Sequence, residues 1–199
     1  MSRIFGLIGF PLSHSLSKRY FTEKFQREHI AGCAYELFPL ETIEMLPDLI
    51  AQHPGLAGLN VTIPYKESVI PFLDAMDAVA EAVGAVNTIA IDRGRLTGYN
   101  TDVYGFEVSL TRFIDACGKK PAGALVLGTG GASKAVCWVL RKMKIPFLTV
   151  SRAPGETLIT YVRIEPVHLA RYPLLITTTP AGMAPYIDQY PPLPYELLT

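Results

Sequence analysis

The 199-residue sequence has no excess charge of either sign: 18 Lys and Arg residues balance 18 Asp and Glu, for a formal net charge of zero. Nucleic-acid binding would show as a basic excess or stripe, so no nucleic-acid partner is expected. Cysteine is scarce. Cys33, Cys117 and Cys137 are odd in number, widely spaced and free of any C-x-x-C pair. That excludes a disulfide framework and a cysteine zinc site, and it suits a reducing cytoplasm. Each cysteine reads as a small core hydrophobe. The histidines His14, His29, His53 and His168 fall at no ligand spacing, so no metal is expected. No apolar run approaches the ~18 residues needed to cross a bilayer, and no membrane partner is expected. The start, Met1 to Phe10, has an early Arg3 and a short apolar run. Pro11, Ser13 and His14 then stand where a small-residue cleavage site would be, so a buried first strand is the better reading.

Apolar material is plentiful. Hydrophobic residues make up 49% and charged residues 18%, enough for a packed core and unlike a disordered chain. The length suits one generous domain or two lean ones. Short apolar strands alternate with helical patterns, which points to an α/β architecture with largely parallel sheets. Strands are expected at Ile4–Phe10, Ala34–Phe38, Leu56–Ile63, Ala85–Asp92, Arg95–Tyr99, Ala124–Leu127, Phe147–Val150 and Leu174–Thr178. Arg93-Gly94 joins the fourth and fifth as a hairpin. Helices are expected at Leu16–Ile30, Thr42–Gln52, Glu67–Leu73, Ala75–Val83, Val103–Ala116, Ala132–Lys142 and Arg163–Arg171. Pro47 starts the second of these late or kinks it. Gly118-Lys119-Lys120-Pro121 punctuates strongly. The tail from Pro185 is rich in proline and carries no periodic element.

Strand Ala124–Leu127 runs straight into Gly128-Thr129-Gly130-Gly131-Ala132-Ser133, which opens a helix. Glycine permits the tight turn and lets the backbone approach a pyrophosphate, while the helix N-terminus offers free N–H groups to the anion. An NAD enzyme carries Asp or Glu at the end of the following strand, ~20 residues beyond the loop, to hold the ribose 2′-hydroxyl. Ser151 and Arg152 stand there instead. Arginine suits a 2′-phosphate, so NADP is favoured over NAD.

Three further polar clusters lie where strands end: Ser13-His14-Ser15, Asn60 to Lys66, and Asn87-Thr88 together with Gly98 to Asp102. Bland roles exist for each, with serines as helix caps, Lys66 as a surface charge and Asp102 as the N-cap of the next helix. Taken in order, six motifs resemble the shikimate dehydrogenase family. They are the S-x-S of Ser13 and Ser15, the N-V-T-x-P-x-K of Asn60 to Lys66, the G-A-V-N-T of Gly84 to Thr88, the G-x-N-T-D of Gly98 to Asp102, the G-T-G-G-A loop, and the T-P-x-G-M of Thr179 to Met183.

The resemblance implies two lobes with the active site in the cleft between them. A substrate-binding catalytic domain over 1–102 would be followed by a Rossmann-like dinucleotide-binding domain over 103–199. It implies NADP-dependent reduction of 3-dehydroshikimate to shikimate; side-chain identity alone leaves a mixed quinate/shikimate specificity open. By resemblance, Ser13, Ser15, Thr62, Asn87 and Asp102 bind the substrate's hydroxyls and carboxylate, and Lys66 and Asp102 form the catalytic pair. Gly128, Gly130, Gly131 and Ala132 hold the pyrophosphate, with Ser151 and Arg152 near the adenosine ribose. The chemistry agrees: reducing a ketone leaves negative charge on oxygen, which a nearby ammonium stabilises and protonates. The helix expected from Glu67 would place Lys66 near its start and somewhat disfavour its charged form, and Asp102 would oppose that shift. The family pattern continues past Thr199 with a D-x-x-Y-x-P segment and an M-L-x-x-Q stretch, so the chain is expected to be part of a longer enzyme. A fragment that only binds nucleotide or metabolite is the alternative. Thr177 replaces the family's Asn in N-x-T-P-x-G-M, and Ala153 to Glu156 lack a second basic residue for the 2′-phosphate.

Overall fold

The computed structural model describes residues 3–155, 158–183 and 187–198. Met1, Ser2, Glu156 and the ends of the proline-rich tail at Pro185 and Thr199 lie outside them. The chain divides into two compact units, Met1–Thr101 and Asp102–Thr199.

In the first unit, β1 (Arg3–Gly9) is flanked on both sides and buried on both faces. Successive side chains point to opposite faces. Phe5 and Leu7 therefore join the cluster of Leu12, Tyr35, Phe21 and Phe25, while Ile4 and Ile8 join the main core of Leu46, Leu59, Val86 and Ile89. Helix α1 (Ser17–Arg27) contributes Phe21 and Phe25, one turn apart. Phe21 stacks on Tyr35 with ring centroids 4.4 Å apart. Strand β2 (Cys33–Pro39) pairs parallel with β1. Pro47 does delay the next helix: a 3-10 turn at Ile43–Met45 precedes α2 (Leu46–Gln52), with Pro47 in its first turn. Strand β3 (Leu56–Val61) ends two residues before the expected Ile63.

Two helices expected next are shorter than their apolar spacing suggested. Over Glu67–Leu73 only Ile70–Phe72 forms, as a 3-10 turn; Pro71 lacks the N–H that an α-helix through it would need. Over Ala75–Val83, residues Ala75–Met76 form strand β4, and helix α3 spans only Ala78–Val83. Asp77 explains the break. It is extended and caps the helix, accepting the Ala80 N–H at 2.8 Å, so the chain before it is extended too. Strands β5 (Thr88–Asp92) and β6 (Arg95–Tyr99) form the expected hairpin. Arg93 and Gly94 both have positive φ, at 50° and 80°, as a turn matching strand twist requires. The sheet order is β2-β1-β3-β5-β6-β4, and β5 runs antiparallel to both neighbours. This sheet is mixed rather than parallel.

The second unit opens with α4 (Asp102–Cys117). Strand β7 (Ala124–Leu127) is wholly buried and leads into α5 (Gly131–Lys142), then β8 (Phe147–Ser151). A short strand β9 (Leu158–Thr160) follows that the sequence reading did not anticipate. The helix expected over Arg163–Arg171 is shorter: Arg163 ends a 3-10 turn, and α6 spans Pro166–Arg171 behind a capping box of Glu165 and His168. Strand β10 is Leu174–Thr177. In the tail, Tyr195–Leu197 forms a 3-10 turn. All strands are parallel, in the order β10-β7-β8-β9. Numbered within the unit, this is the 3-2-1-4 half of a doubly wound sheet, whose strand order reverses between β7 and β10.

Candidate active site

In the first unit, amides and hydroxyls gather around the end of β3 and the adjoining ends of β5 and β6. Asn60 on β3 stands directly opposite Thr88 on β5, so their side chains share a face. Tyr35 donates its hydroxyl to Asn60 Oδ1 at 2.7 Å, and Asn60 Nδ2 donates to Thr88 Oγ1 at 3.4 Å. Thr88 Oγ1 donates to Asn87 Oδ1 at 3.1 Å. That oxygen also accepts the Thr101 N–H at 2.9 Å, and Asn87 Nδ2 donates to Thr101 Oγ1 at 2.8 Å. Asn87 is buried, at 9% exposure. Beside it, Asn100 Nδ2 donates to Ala85 O at 2.8 Å.

The loop after β3 is held at several points. Thr62 N–H donates to Ile8 O at 2.9 Å, and Val86 N–H donates to Lys66 O at 2.7 Å. Tyr65 anchors it from below through its hydroxyl, which donates to Leu40 O at 2.6 Å. Burial pushes the Tyr65 hydroxyl pKa up, and Glu44 and Glu41 add to that. Thr62 and Lys66 are half-buried. Residues 66–69 form a turn and not a helix, so Lys66 does not stand at the helix start expected for it. Ser13 is exposed beyond β1 and Ser15 half-buried. Ser15 Oγ accepts the Ser17 N–H at 3.3 Å, a local turn one residue ahead of the α1 N-cap; that cap is Leu16 and carries no side-chain bond, so the expected serine cap is not what forms. Asp102 is the first residue of α4 rather than a cap preceding it.

In the second unit, the loop 128–130 lies at the switch point between β7 and β10. Gly128 has φ +116°, and a Cβ there would lie 2.7 Å from Thr178 Oγ1 and 3.1 Å from Thr179 Cγ2. Thr178 is itself fixed, donating both N–H and hydroxyl to Leu127 O at 2.9 and 2.7 Å. At Gly130 the situation reverses: a Cβ would meet nothing within 4 Å. Gly130 is the N-cap of α5, and no side chain caps that end. The loop is thus braced behind by β10 and open in front, at an uncapped helix N-terminus. This fits the diphosphate of a dinucleotide. Gly131 is half-buried and Ala132 exposed at that same end. At the end of β8, Ser151 Oγ accepts the Ala153 N–H at 3.2 Å, and Arg152 is exposed. The Arg152 charge bears on Tyr161, whose hydroxyl burial holds above its usual pKa; Arg152 opposes that shift and Tyr195 adds to it. Thr179 Oγ1 is buried without a hydrogen-bond partner among the described residues.

Among the described residues no group of three or more His, Cys, Asp and Glu could hold a metal ion, and no helix is long and apolar enough to cross a membrane. Sequence reasoning passed over Tyr35, Asn60, Thr101 and Thr178 as individual contributors. Asn60 and Thr101 were inside quoted motifs, and Thr178 adjoined one. Tyr35 carried one faint signal, a hydroxyl in an otherwise apolar strand beside β1.

A mixed α/β unit with polar strand ends, followed by a parallel unit with a glycine loop at its switch point, defines the class of two-unit, dinucleotide-binding α/β proteins. Residues 7–89 match the family model for the shikimate dehydrogenase substrate binding domain. The chain is 37% identical over 216 residues to a shikimate dehydrogenase (NADP(+)) of Carboxydothermus hydrogenoformans, covering all of this chain and 75% of that protein. It is 39% identical over 192 residues to the shikimate dehydrogenase (NADP(+)) of Oleidesulfovibrio alaskensis, covering 92% and 67%. The crystal structure of shikimate 5-dehydrogenase from Thermus thermophilus in complex with NADP(H) and shikimate superposes with a TM-score of 0.79 at 30% identity, covering 98% of this chain and 75% of that one. The chain belongs to the shikimate dehydrogenase family.

Proposed function

We propose that this chain carries the NADP-dependent interconversion of 3-dehydroshikimate and shikimate. One observation supports it most: the hydrogen-bonded cluster Asn60–Thr88–Asn87–Thr101 orders amides and hydroxyls at the strand ends, in a stretch of sequence that includes Lys66 and is followed by Asp102. A polyhydroxylated ring needs several placed partners, and this cluster supplies them.

In this reading 1–102 is the substrate-binding catalytic part and 103–199 the dinucleotide-binding part. Ser13, Ser15, Thr62, Asn87 and Asp102 bind the ring hydroxyls and carboxylate. Gly128, Gly130, Gly131 and Ala132 hold the diphosphate of NADP, Gly128 by making the turn, its own N–H being bonded to Val150 O at 2.9 Å, and Gly130, Gly131 and Ala132 at the start of α5. Ser151 and Arg152 face its adenosine ribose, with Arg152 pairing to the 2′-phosphate. The nicotinamide, when bound, supplies or accepts the hydride. In reduction, the Lys66 ammonium stabilises the negative charge growing on the carbonyl oxygen and delivers its proton there; in oxidation, the amine takes the proton back. Asp102 accepts a hydrogen bond from a ring hydroxyl. Cys33, Cys117 and Cys137 as free thiols suit the cytoplasm.

The test is Lys66→Ala. The turnover number is expected to fall by ~10²–10⁴-fold while shikimate binding changes much less. Near-normal turnover would remove Lys66 from the mechanism.

A further inference from the structure

The sheet of the first unit ends at β2, and the backbone of that strand divides into two sides. Arg3 N–H bonds to Gly32 O at 2.8 Å, and Leu40 N–H bonds to Gly9 O at 3.2 Å. The parallel register runs from Arg3 on Cys33 to Gly9 on Pro39. Ala34, Glu36 and Phe38 therefore turn their N–H and C=O groups to β1, while Cys33, Tyr35 and Leu37 turn theirs outward. Among the described residues no strand pairs with that outer side. Such a row of N–H and C=O groups is a template for another strand. What lies across it is an ion pair. Glu36 alternates with Tyr35, so its side chain stands with Phe38 on the face of the main core. Helix α1 packs Phe21 and Phe25 on the opposite face, against Tyr35. Yet Lys18 of α1 donates to Glu36 Oε2 at 2.5 Å. Strand β1 closes the inner side of β2, so the lysine reaches Glu36 around the outer edge. A groove of about 380 Å³ follows that edge, lined by Thr22 and Gln26 of α1, by Tyr35 on the near face and by Ala34 on the far one.

We propose that the Lys18–Glu36 pair is a clasp over a latent dimer edge. Closed, it covers the outer side of β2; removed, it lets two copies of the chain join β2 to β2, antiparallel, about a two-fold axis at Tyr35. A second copy is the occupant because the edge is complementary to itself. About that axis Tyr35 meets Tyr35 and Cys33 meets Leu37, each pair exchanging N–H and C=O groups, so every outward group from Cys33 to Leu37 is satisfied. Glu36 then faces Ala34 of the other copy, and no like charges stand opposite one another. An axis at Glu36 would set the two glutamates against each other and would use Pro39, which has no N–H to give. The clasp is exposed, and such a pair holds only weakly. Its effect comes from the ammonium, which an arriving strand must either push off the edge or bury. The clasp lies wholly within the first unit and is independent of the reading of the substrate site.

Lys18→Ala combined with Glu36→Thr opens the clasp, and Lys18→Glu combined with Glu36→Lys rebuilds it with the charges exchanged. Each is made in the protein carrying whatever natural sequence continues past Thr199. Mass is measured by sedimentation equilibrium, and single amides are followed by hydrogen exchange. In the parent, the Tyr35 and Leu37 amides should exchange faster than those of residues 36 and 38, which bond to β1. The opened protein should have twice the parent's mass, and its Tyr35 and Leu37 amides should slow by about tenfold or more. The charge-exchanged protein should match the parent in both readouts. Adding Leu37→Pro removes an outward N–H and no bond to β1, so it should return the opened protein to the parent's mass. Should that variant not fold, the amide pattern decides alone. An opened protein of unchanged mass overturns the proposal. So does a doubled mass with the Tyr35 and Leu37 amides still fast, which puts the contact on another surface, and so does a doubled mass in the charge-exchanged protein.

Discussion

Gly128 and Gly130 are two residues apart in the same loop, yet the structure assigns them opposite sensitivities to an added methyl group. Alanine at 128 would have to adopt φ +116°, a conformation costing ~1–3 kcal/mol for a residue with a Cβ. Its methyl would also sit 2.7 Å from Thr178 Oγ1. Thr178 cannot retreat without breaking its 2.7 Å bond to Leu127 O, worth about 0.5–1.5 kcal/mol. Together these destabilise the second unit by roughly 1.5–4.5 kcal/mol. For a unit of this size that lowers the melting temperature by on the order of 10 °C or more. Gly130 lies at φ −79° and ψ −173°, ordinary for alanine, with open space around its Cβ. Gly130→Ala should therefore change stability by less than about 1 kcal/mol. It should nonetheless weaken NADP binding about tenfold or more, because the methyl occupies the approach to the helix N–H groups. Denaturant unfolding followed by NADP titration measures both quantities. The reasoning is refuted if Gly128→Ala unfolds within about 0.5 kcal/mol of the parent, or if Gly130→Ala binds NADP as tightly as the parent.

Arg152→Ala should raise the NADP Michaelis constant by about 10-fold or more, since each charge-assisted contact contributes roughly 1.5–3 kcal/mol, while barely changing that for NAD. An equal response to both cofactors would show that Arg152 does not read the 2′-phosphate. Asp77→Ala removes the cap of α3 and should cost about 0.5–2 kcal/mol in urea unfolding; no loss would mean that the 2.8 Å bond to Ala80 N–H contributes nothing net. Burial pushes the Tyr35 hydroxyl up to about 12, against about 10 in an unfolded chain. On raising the pH the unfolded state loses this proton first, so the stability it contributes is intact below about pH 10 and is lost as the pH rises through about 12. Urea midpoints across that window should fall less steeply in Tyr35→Phe than in the parent, and identical slopes would contradict the assignment.

Sequence periodicity and punctuation revealed most of this fold because they report local physics. Phe21 and Phe25 mark one face of α1, Arg93-Gly94 closes the hairpin, and Gly128 to Ser133 joins a buried strand to a helix. What escaped notice is set by tertiary partners. Ala75–Met76 has an apolar spacing compatible with a helix, but pairs with β6 because Asp77 stops the helix from extending backward. Leu158–Thr160 is a three-residue strand that, among the described residues, pairs with β8 at the sheet edge, too short to show a period. At the site, the residue types were legible in motifs, while their connections were not. Tyr35 and Asn60 are 25 residues apart in sequence, and only the adjacency of β2, β1 and β3 brings them together. The brace of Thr178 behind Gly128 likewise depends on β10 returning beside β7.

The most direct test of the account is whether the purified protein, carrying whatever natural sequence continues past Thr199, forms NADPH from NADP in a shikimate-dependent manner. Initial rates should be compared for shikimate with NADP, shikimate with NAD, quinate with NADP and quinate with NAD. The account predicts a rate that saturates with shikimate, is highest with NADP, and disappears in Lys66→Ala. A protein so extended that binds NADP and shikimate yet forms no NADPH at any concentration of either would contradict it, leaving a binding protein built on a dehydrogenase fold.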